Sequence, residues 1–469
     1  MNLNNLLKQA IDHHRAGNLD QAEEIYKFIC TTGGSNTQVT YLRALVAQEK
    51  GDFARAISLF GEALRNGGSH PEIYSQLART HNLAGDPHAA LENYKKALAI
   101  DPVNIDALCN SANIMGNIGQ FKEALINYGT ALKLSPDSPT INYNTGTLHL
   151  QQFQPEKAIR YFENAIRLKP DYASAHNSLG VALTDSGKPE SAIGCFRKAN
   201  ELDKQFVEPL FNLHGVYLDQ GDTAASLACL TEAVAIAPGN LSYRFFLGLL
   251  HQYAGNAAEG TNCLAPLRDS IEVRAEMESL DYLHSVCPTF PTMTGSNMAP
   301  IKLAIEHANI EGLVLEFGVY NGKSIRLIAS LVDSLVHGFD SFEGIPEAWA
   351  NERKGSYSAF GVLPEVPDNV ILHPGWFEDS IPEFIKNESG PIRFMNIDCD
   401  LYSSTKTIFD LLGPQIVSGS VILFDEFIGY PTWKDDEFKA FHEAAEQFGW
   451  EYEILCFSFL TKQVAIKIK

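Results

Sequence analysis

Small and aromatic residues recur along the first half of the chain at a spacing of 34 residues. Glycine stands at seven steps of this grid and Phe153 at the eighth; the glycines are Gly17, Gly51, Gly85, Gly119, Gly187, Gly221 and Gly255. Nine residues after six of the steps comes an aromatic ring, at Tyr26, Phe60, Tyr94, Tyr128, Phe162 and Phe196. Glycine readily ends a helix in the left-handed conformation. The period therefore predicts stacked pairs of helices, one pair to each repeat.

This pattern resembles the tetratricopeptide repeat (TPR) family, and about eight 34-residue units fill the predicted first domain, residues 1–262. The resemblance implies an all-α superhelix whose concave groove holds a protein or peptide partner. Polar residues also recur on the grid, at Gln76, Asn110, Asn144, Ser178 and Asn212. Two interpretations stay open for them: they pair with the backbone of a bound peptide, or they are tolerated positions on an exposed helix face.

After the repeats, short apolar runs alternate with helical patterns. Residues 263–300 predict a helical connector packed on the second domain, residues 301–469. Seven strands are predicted there, at 313–317, 335–340, 369–373, 392–397, 419–424, 451–457 and 459–468. Strands separated by helices indicate a parallel α/β sheet. The last two strands follow each other directly and predict an antiparallel hairpin. This Rossmann-like sheet is typical of class I methyltransferases.

Distinctive residues follow the first three strands, at the edge where parallel sheets bind ligands. Glu316, Gly318, Tyr320, Gly322 and Ser324 form a turn in which Gly318 permits a close approach to a ligand. Its glycine spacing does not match the dinucleotide fingerprint.

The second and third strand ends carry a carboxylate and aromatic rings. Asp340, followed by Ser341 and Phe342, is predicted to accept hydrogen bonds from ribose hydroxyls. After the third strand come Gly375, Trp376 and Phe377, where the aromatic rings either edge an adenine or pack on the next helix.

These segments resemble the macrocin O-methyltransferase-like family, in the order E-F-G-V-x-x-G-x-S, F-D-S-F-E-G and D-x-D-L-Y-x-S-T, over roughly residues 295–469. The resemblance implies that S-adenosylmethionine (SAM) is the cofactor. It places the methionine portion of SAM at Glu316 and favours a sugar, glycan or secondary-metabolite hydroxyl as the acceptor. Related enzymes often self-associate, so a homo-oligomer is a further expectation.

Carboxylates also follow the fourth and fifth strands, which are neighbours in this topology. Asp398, Asp425 and Glu426 should converge there, and three carboxylates at one point repel unless a cation holds them. Oxygen ligands favour Mg²⁺, or Ca²⁺ or Mn²⁺, over zinc. Metal-dependent O-methyltransferases resemble this layout, which implies that all three residues are ligands and that Asp398 also takes the acceptor proton. Asp400 is the alternative third ligand, because the family more often has Asp or Asn at the position of Glu426.

Composition narrows the list of partners. The net charge is −21 and basic residues do not cluster, so neither nucleic acid nor an anionic membrane surface is an expected partner. The eight cysteines show no C-x-x-C pair, which predicts a reducing, cytoplasmic location. The start of the chain lacks the pattern of a secretory signal, and no apolar run is long enough to span a membrane.

Two other function classes compete with a methyltransferase. A non-catalytic TPR scaffold would carry the sheet as a vestige, but such a domain has no reason to retain buried carboxylates. A glycosyltransferase would need a second nucleotide-sugar domain, and the residues after the repeats leave no room for one.

Overall fold

The computed structural model of the chain describes residues 3–33, 36–349, 352–359 and 361–469. The chain divides into two compact units, Met1–Pro170 and Asp171–Lys469. In the described residues no helix is both long enough and apolar enough to cross a membrane.

The first unit is a set of paired helices. In its described residues they are α1 (Leu3–Arg15), α2 (Leu19–Gly33), α3 (Thr37–Glu49), α4 (Phe53–Gly67), α5 (Pro71–Leu83), α6 (Pro87–Ile100), α7 (Ile105–Asn117), α8 (Phe121–Leu134), α9 (Pro139–Gln151) and α10 (Pro155–Leu168). The grid residues take left-handed conformations between paired helices, with φ of 76° at Gly17 and 54° even at Phe153. The aromatic positions are buried, and a Cβ at Gly146 would come within 2.8 Å of the Phe162 ring. The helical repeats therefore form as the period predicts.

The second unit continues the repeats and adds the sheet. Its helices are α11 (Ala173–Asp185), α12 (Pro189–Leu202), α13 (Glu208–Asp219), α14 (Thr223–Ile236), α15 (Leu241–Tyr253), α16 (Ala257–Leu264), α17 (Arg274–Val286), α18 (Met298–His307), α19 (Lys323–Leu331), α20 (Phe377–Asn387), α21 (Tyr402–Leu412) and α22 (Glu437–Phe448). Its strands are β1 (Thr292–Met293), β2 (Leu313–Phe317), β3 (Val336–Asp340), β4 (Val370–Pro374), β5 (Ile392–Ile397), β6 (Val421–Phe424), β7 (Tyr452–Phe457) and β8 (Val464–Ile468).

The strands form one sheet in the order β1-β7-β8-β6-β5-β2-β3-β4. Strands β2 to β6 run parallel, while β8 is antiparallel to both β6 and β7. The predicted fold class, an all-α repeat array followed by an α/β sheet with a terminal antiparallel hairpin, is confirmed. The short strand β1, which extends the sheet beyond β7, was not predicted from the sequence.

The last repeats share a core with the sheet. Leu218, Leu230 and Phe245 of the repeats belong to the same buried cluster as Met293 and Phe457. A close backbone approach completes this contact, because a Cβ at Gly215 would lie 2.4 Å from the carbonyl oxygen of Gly295. The boundary between the two compact units therefore falls inside the repeat array, and the predicted domain boundaries at 262 and 300 stay predictions.

Candidate cofactor and catalytic site

The turn between β2 and α19 can form only because Gly318 has no side chain. Its φ is 92°, and a Cβ there would lie 1.6 Å from the carbonyl oxygen of Asp398 at the end of β5. Gly322 also has a left-handed φ, of 75°, and is the N-cap of α19. The backbone after β2 therefore lies directly against the end of the neighbouring strand.

Glu316 is a fully buried carboxylate at this turn. Its Oε1 accepts a hydrogen bond from Ser324 Oγ at 2.9 Å, whereas its Oε2 is buried and has no hydrogen-bond partner among the described residues. Burial raises the pKa of Glu316 to about 8. The Ser324 and Asn396 side chains act in the opposite direction, and the Asp425 and Asp340 carboxylates add to the rise. A buried oxygen without a partner is costly, which marks this position as suited to a donor supplied by a ligand.

Asp340 joins the ends of β2 and β3. Its Oδ2 accepts the backbone N–H of Tyr320 at 2.7 Å, and its Oδ1 accepts the backbone N–H of Phe342 at 2.6 Å. Tyr320 and Phe342 are both non-glycine residues with positive φ, of 46° and 57°. Burial raises the pKa of Asp340, while these backbone hydrogen bonds act in the opposite direction. The carboxylate thus holds two strained turns, and each oxygen keeps a further lone pair for another donor.

The aromatic residues that the sequence places at the cofactor site lie in different surroundings. The Phe342 side chain is buried in the core, so this residue faces the site with its backbone alone. The Phe377 ring is half-buried and packs edge-on against Phe317, with 5.5 Å between ring centroids. Trp376, also half-buried, is the N-cap of α20 and follows Gly375, whose N–H bonds the Asp340 carbonyl. Ser341 Oγ accepts the Glu343 N–H at 3.1 Å.

Acidic side chains gather at the ends of β5 and β6. Burial raises the pKa of Asp398 well above its usual value, and the nearby carboxylates of Asp425 and Asp400 raise it further. Burial and the Asp425 charge raise the pKa of Asp400 to about 7. The sequence prediction that strands β5 and β6 are neighbours is confirmed, with Ile397 beside Phe424 in the register. This end of the sheet therefore concentrates negative charge that the protein compensates only in part.

Two residues of the turn between β7 and β8 contact these carboxylates and were not predicted from the sequence. Lys462 Nζ lies 3.1 Å from Glu426 Oε1, and Gln463 Nε2 donates to Asp425 Oδ1 at 2.6 Å. They follow Asp425 and Glu426 by more than 35 residues, and only the antiparallel pairing of β6 with β8 brings them together. The available signal was a lysine near the start of the predicted last strand, 459–468.

The predicted metal ligands do not form a ready-made metal site. In the described part of the chain, no group of three or more His, Cys, Asp or Glu side chains could hold a metal ion as they stand. One oxygen of Glu426 is paired with Lys462, and one of Asp425 accepts from Gln463. The other Glu426 oxygen, Oε2, is buried and has no hydrogen-bond partner in the described residues. The metal therefore stays a prediction.

The segment between β3 and β4 reaches across this end of the sheet. Trp349 Nε1 donates to Asp436 Oδ2 at 3.1 Å, and Ser403 Oγ donates to Glu347 at 2.6 Å. The Tyr357 ring meets the Tyr320 ring edge-on, with 6.2 Å between centroids. These contacts connect the segment to the turn after β2, to α21 and to the residue before α22. Sequence reasoning assigned no role to Glu347, Trp349 or Tyr357.

Comparison with protein families agrees with this geometry. Residues 315–427 match a family described as a methyltransferase domain. Residues 36–102, 117–152 and 143–205 match models of the tetratricopeptide repeat.

Two curated relatives from Streptomyces match part of the chain. Demethyldecarbamoylnovobiocin O-methyltransferase of Streptomyces niveus is 28% identical over 169 residues, which cover 30% of this chain and 62% of the relative. The 8-demethyl-8-(2,3-dimethoxy-alpha-L-rhamnosyl)-tetracenomycin-C 4'-O-methyltransferase of Streptomyces olivaceus is 25% identical over 148 residues, 25% of this chain and 54% of the relative. The chain thus spans between half and two thirds of the length of these relatives.

Among solved structures, the chain is similar in part to a tetratricopeptide repeat protein from Parabacteroides merdae ATCC 43184. The two are 17% identical, and the match covers 53% of this chain and 98% of that chain, with a TM-score of 0.44.

Proposed function

Because the chain joins tetratricopeptide repeats to a methyltransferase domain, we propose that it transfers a methyl group from SAM to a hydroxyl of an acceptor. The observation that carries the proposal is the unpartnered, buried Oε2 of Glu316 beside the Gly318 turn. The O-methyltransferase names of both curated relatives support the choice of a hydroxyl acceptor.

The residues at the ends of β2 and β3 fit SAM by their chemistry. Glu316 offers an acceptor to the α-ammonium group, and its raised pKa would fall once a cation supplied the missing charge. Asp340 keeps lone pairs for the ribose hydroxyls while holding Tyr320 and Phe342. Gly318, Gly322, Ser324 and Ser341 shape the surrounding turns, and Gly375, Trp376 and Phe377 would border the adenine. SAM supplies an activated methyl group on a sulfonium.

Asp398 is the residue that we assign to take the acceptor proton. It directly follows β5, where its backbone carbonyl lies against the Gly318 turn, at the edge of the sheet where parallel sheets bind ligands. Burial and the neighbouring carboxylates raise the pKa of Asp398, which makes its carboxylate a stronger base than that of an ordinary exposed aspartate. Asp398 would take the proton of the acceptor hydroxyl, whose oxygen would form a bond to the methyl carbon as the C–S bond of SAM breaks and S-adenosylhomocysteine leaves. Positioning of the two reactants would lower the remaining barrier.

A divalent metal, with Mg²⁺ preferred over Ca²⁺ or Mn²⁺, is a further part of this proposal. Asp398, Asp425 and Glu426 would hold it, with Asp400 as the alternative to Glu426, and it would lower the pKa of a bound hydroxyl. Two observations support a cation here: the raised pKa values of neighbouring carboxylates, and the unpartnered Oε2 of Glu426. The ion pair with Lys462 uses only Oε1 of Glu426, so Oε2 is the oxygen that would bind the metal.

The repeats would recruit a protein or peptide partner, or the acceptor itself. TPR proteins present polar side chains to such ligands, and Asn110 and Asn144 lie on the first helices α7 and α9 of their repeats. The acceptor is proposed as a sugar, glycan or secondary metabolite, which agrees with the rhamnosyl group in the name of one relative.

The experiment is a transfer assay with the full chain, SAM and two probe acceptors that offer vicinal hydroxyls, catechol and methyl α-L-rhamnopyranoside. Release of S-adenosylhomocysteine and a methylated product by mass spectrometry are expected with Mg²⁺, and Asp398→Asn should lower turnover at least about 100-fold. Undiminished turnover in EDTA would refute the metal while leaving methyl transfer intact. Failure to bind SAM at all would favour the alternative, a non-catalytic scaffold.

A further inference from the structure

The turn between β7 and β8, residues 458–463, lies between the last repeat and the carboxylates of the site. We call it the β7–β8 turn. On one side, its Phe459 ring packs edge-on against Phe245 of helix α15, with 5.1 Å between centroids. Phe245 is fully buried, and Phe459 is nearly so. The last pair of repeat helices therefore forms the wall against which this turn is packed.

On its other side, the β7–β8 turn binds the segment that follows β6. Its Lys462 carbonyl accepts the backbone N–H groups of Phe427 and Ile428, at 3.1 and 3.3 Å. The Lys462 ammonium pairs with Glu426 at 3.1 Å and lies 5.5 Å from the centre of the Tyr430 ring. Main chain and side chain of Lys462 thus hold the same short segment.

The turn is itself well fixed by hydrogen bonds. Ser458 N–H donates to the Gln463 carbonyl at 2.8 Å, and Ser458 Oγ accepts the Thr461 N–H at 3.2 Å. Thr461 Oγ1 donates to Gln463 Oε1 at 2.9 Å. Since that oxygen is an acceptor, the amide nitrogen of Gln463 must point the other way, toward Asp425. The orientation of the Gln463 amide is therefore set within the turn.

We propose that Lys462 and Gln463 are positioning residues for methyl transfer, and that the last repeat fixes them through the contact of Phe245 with Phe459. The proposal rests on the function proposed above. Lys462 holds Glu426, Gln463 holds Asp425, and the packing of the turn on α15 holds both. The last repeat then belongs to the catalytic unit, in addition to any partner that the repeats recruit.

The positioning role of Lys462 is tested with Lys462→Met in the full chain. Loss of the ion pair frees Glu426, so we expect kcat with catechol to fall at least about 10-fold. The affinity for SAM should change less than about 2-fold, because Glu316 and Asp340 lie on strands β2 and β3, two and three strands away from β6. Lys462→Arg should restore most of kcat, which a loss of packing alone would not predict.

A matched control is Lys434→Met. Lys434 also pairs with a carboxylate, Glu278, and also lies near an aromatic ring, with 5.2 Å to the centre of Trp433. Its carboxylate belongs to α17 and is not one of the strand-end acids. We expect kcat within about 2-fold of wild type for this variant. Equal kcat for Lys462→Met and wild type, with SAM bound normally, would overturn the positioning role.

The role of the last repeat in fixing the β7–β8 turn is tested by hydrogen exchange of the full chain, without any acceptor. Phe245→Leu should speed exchange at the amides of Phe427 and Ile428 by at least about 5-fold, because their acceptor sits on the loosened turn. Tyr253→Leu is the control on the same helix, since that ring faces Phe290 at 6.3 Å. Unchanged exchange in Phe245→Leu, or equal acceleration in both variants, would refute the link. Absence of SAM binding by wild type would instead refute the proposed function. The hydrogen-exchange experiment would still test the link between Phe245 and the β7–β8 turn, because it needs neither SAM nor an acceptor.

Discussion

The Oδ2 atom of Asp340 accepts the backbone N–H of Tyr320 at 2.7 Å, which ties the end of β3 to the turn after β2. Its other oxygen accepts the N–H of Phe342. One half-buried carboxylate therefore holds two left-handed residues whose conformations are unfavourable by themselves. The candidate cofactor site depends on this arrangement, because both turns border the position assigned to SAM.

Replacing Asp340 by Ala should loosen both turns. We expect the free energy of unfolding to fall by about 1.5 to 3 kcal/mol, the usual contribution of hydrogen bonds to a charged group, and SAM affinity to fall at least about 10-fold. Urea unfolding and calorimetric titration measure the two effects. Asp333→Ala, at an exposed carboxylate before β3, is the control. A variant at position 340 that unfolds like wild type would show that the carboxylate does not hold the turns.

Gly318→Ala should disrupt the approach of β2 to β5. The new Cβ would lie 1.6 Å from the Asp398 carbonyl oxygen, so the two strand ends must separate. A loss of more than about 3 kcal/mol in unfolding free energy is expected, together with the loss of SAM binding.

The matched control for Gly318 is Gly449→Ala. Gly449 also has a positive φ, of 69°, but a Cβ there meets nothing within 4 Å. Gly449→Ala should lower the free energy of unfolding by only about 1 to 2 kcal/mol, the cost of a left-handed conformation for alanine. Similar losses in the two variants would mean that the contact with Asp398 is relieved by small shifts.

The buried Glu316 should make stability depend on pH. Its pKa is raised from 4.5 to about 8, so the folded state favours the protonated form. The contribution of Glu316 to the free energy of unfolding is fully present below about pH 4.5 and is lost as the pH rises through about 8. Compared with Glu316→Gln, wild type should lose on the order of 4 kcal/mol between pH 4.5 and 8.5. Thermal unfolding across this range measures the difference, and parallel curves for both proteins would contradict it.

The sequence was most informative where structure follows a period. The glycine grid predicts the left-handed junctions because each needs the same backbone conformation, and even Phe153 adopts it. Alternation of strands and helices predicts the parallel sheet, and the direct succession of the last two strands predicts the hairpin.

The contacts within the candidate site were harder to predict from the sequence. Lys462 reaches Glu426, and Gln463 reaches Asp425, only through the register of β8 on β6. Phe342 sits within a matching motif, yet its ring belongs to the core, because a motif does not say which side of the turn a side chain takes. The pairing of Trp349 with Asp436 joins segments that are 87 residues apart and lack any shared pattern.

The most direct measurement is a calorimetric titration of the full chain with SAM, in parallel with Glu316→Gln. We expect one site per chain with a dissociation constant between about 1 µM and 1 mM, the ordinary range for enzyme substrates, and competition by S-adenosylhomocysteine. Glu316→Gln should bind at least about 10-fold more weakly, because the ammonium group loses a charged acceptor in a buried site. Absence of binding by the wild-type chain, or equal affinity in the two proteins, would contradict the assignment of SAM to the ends of β2 and β3.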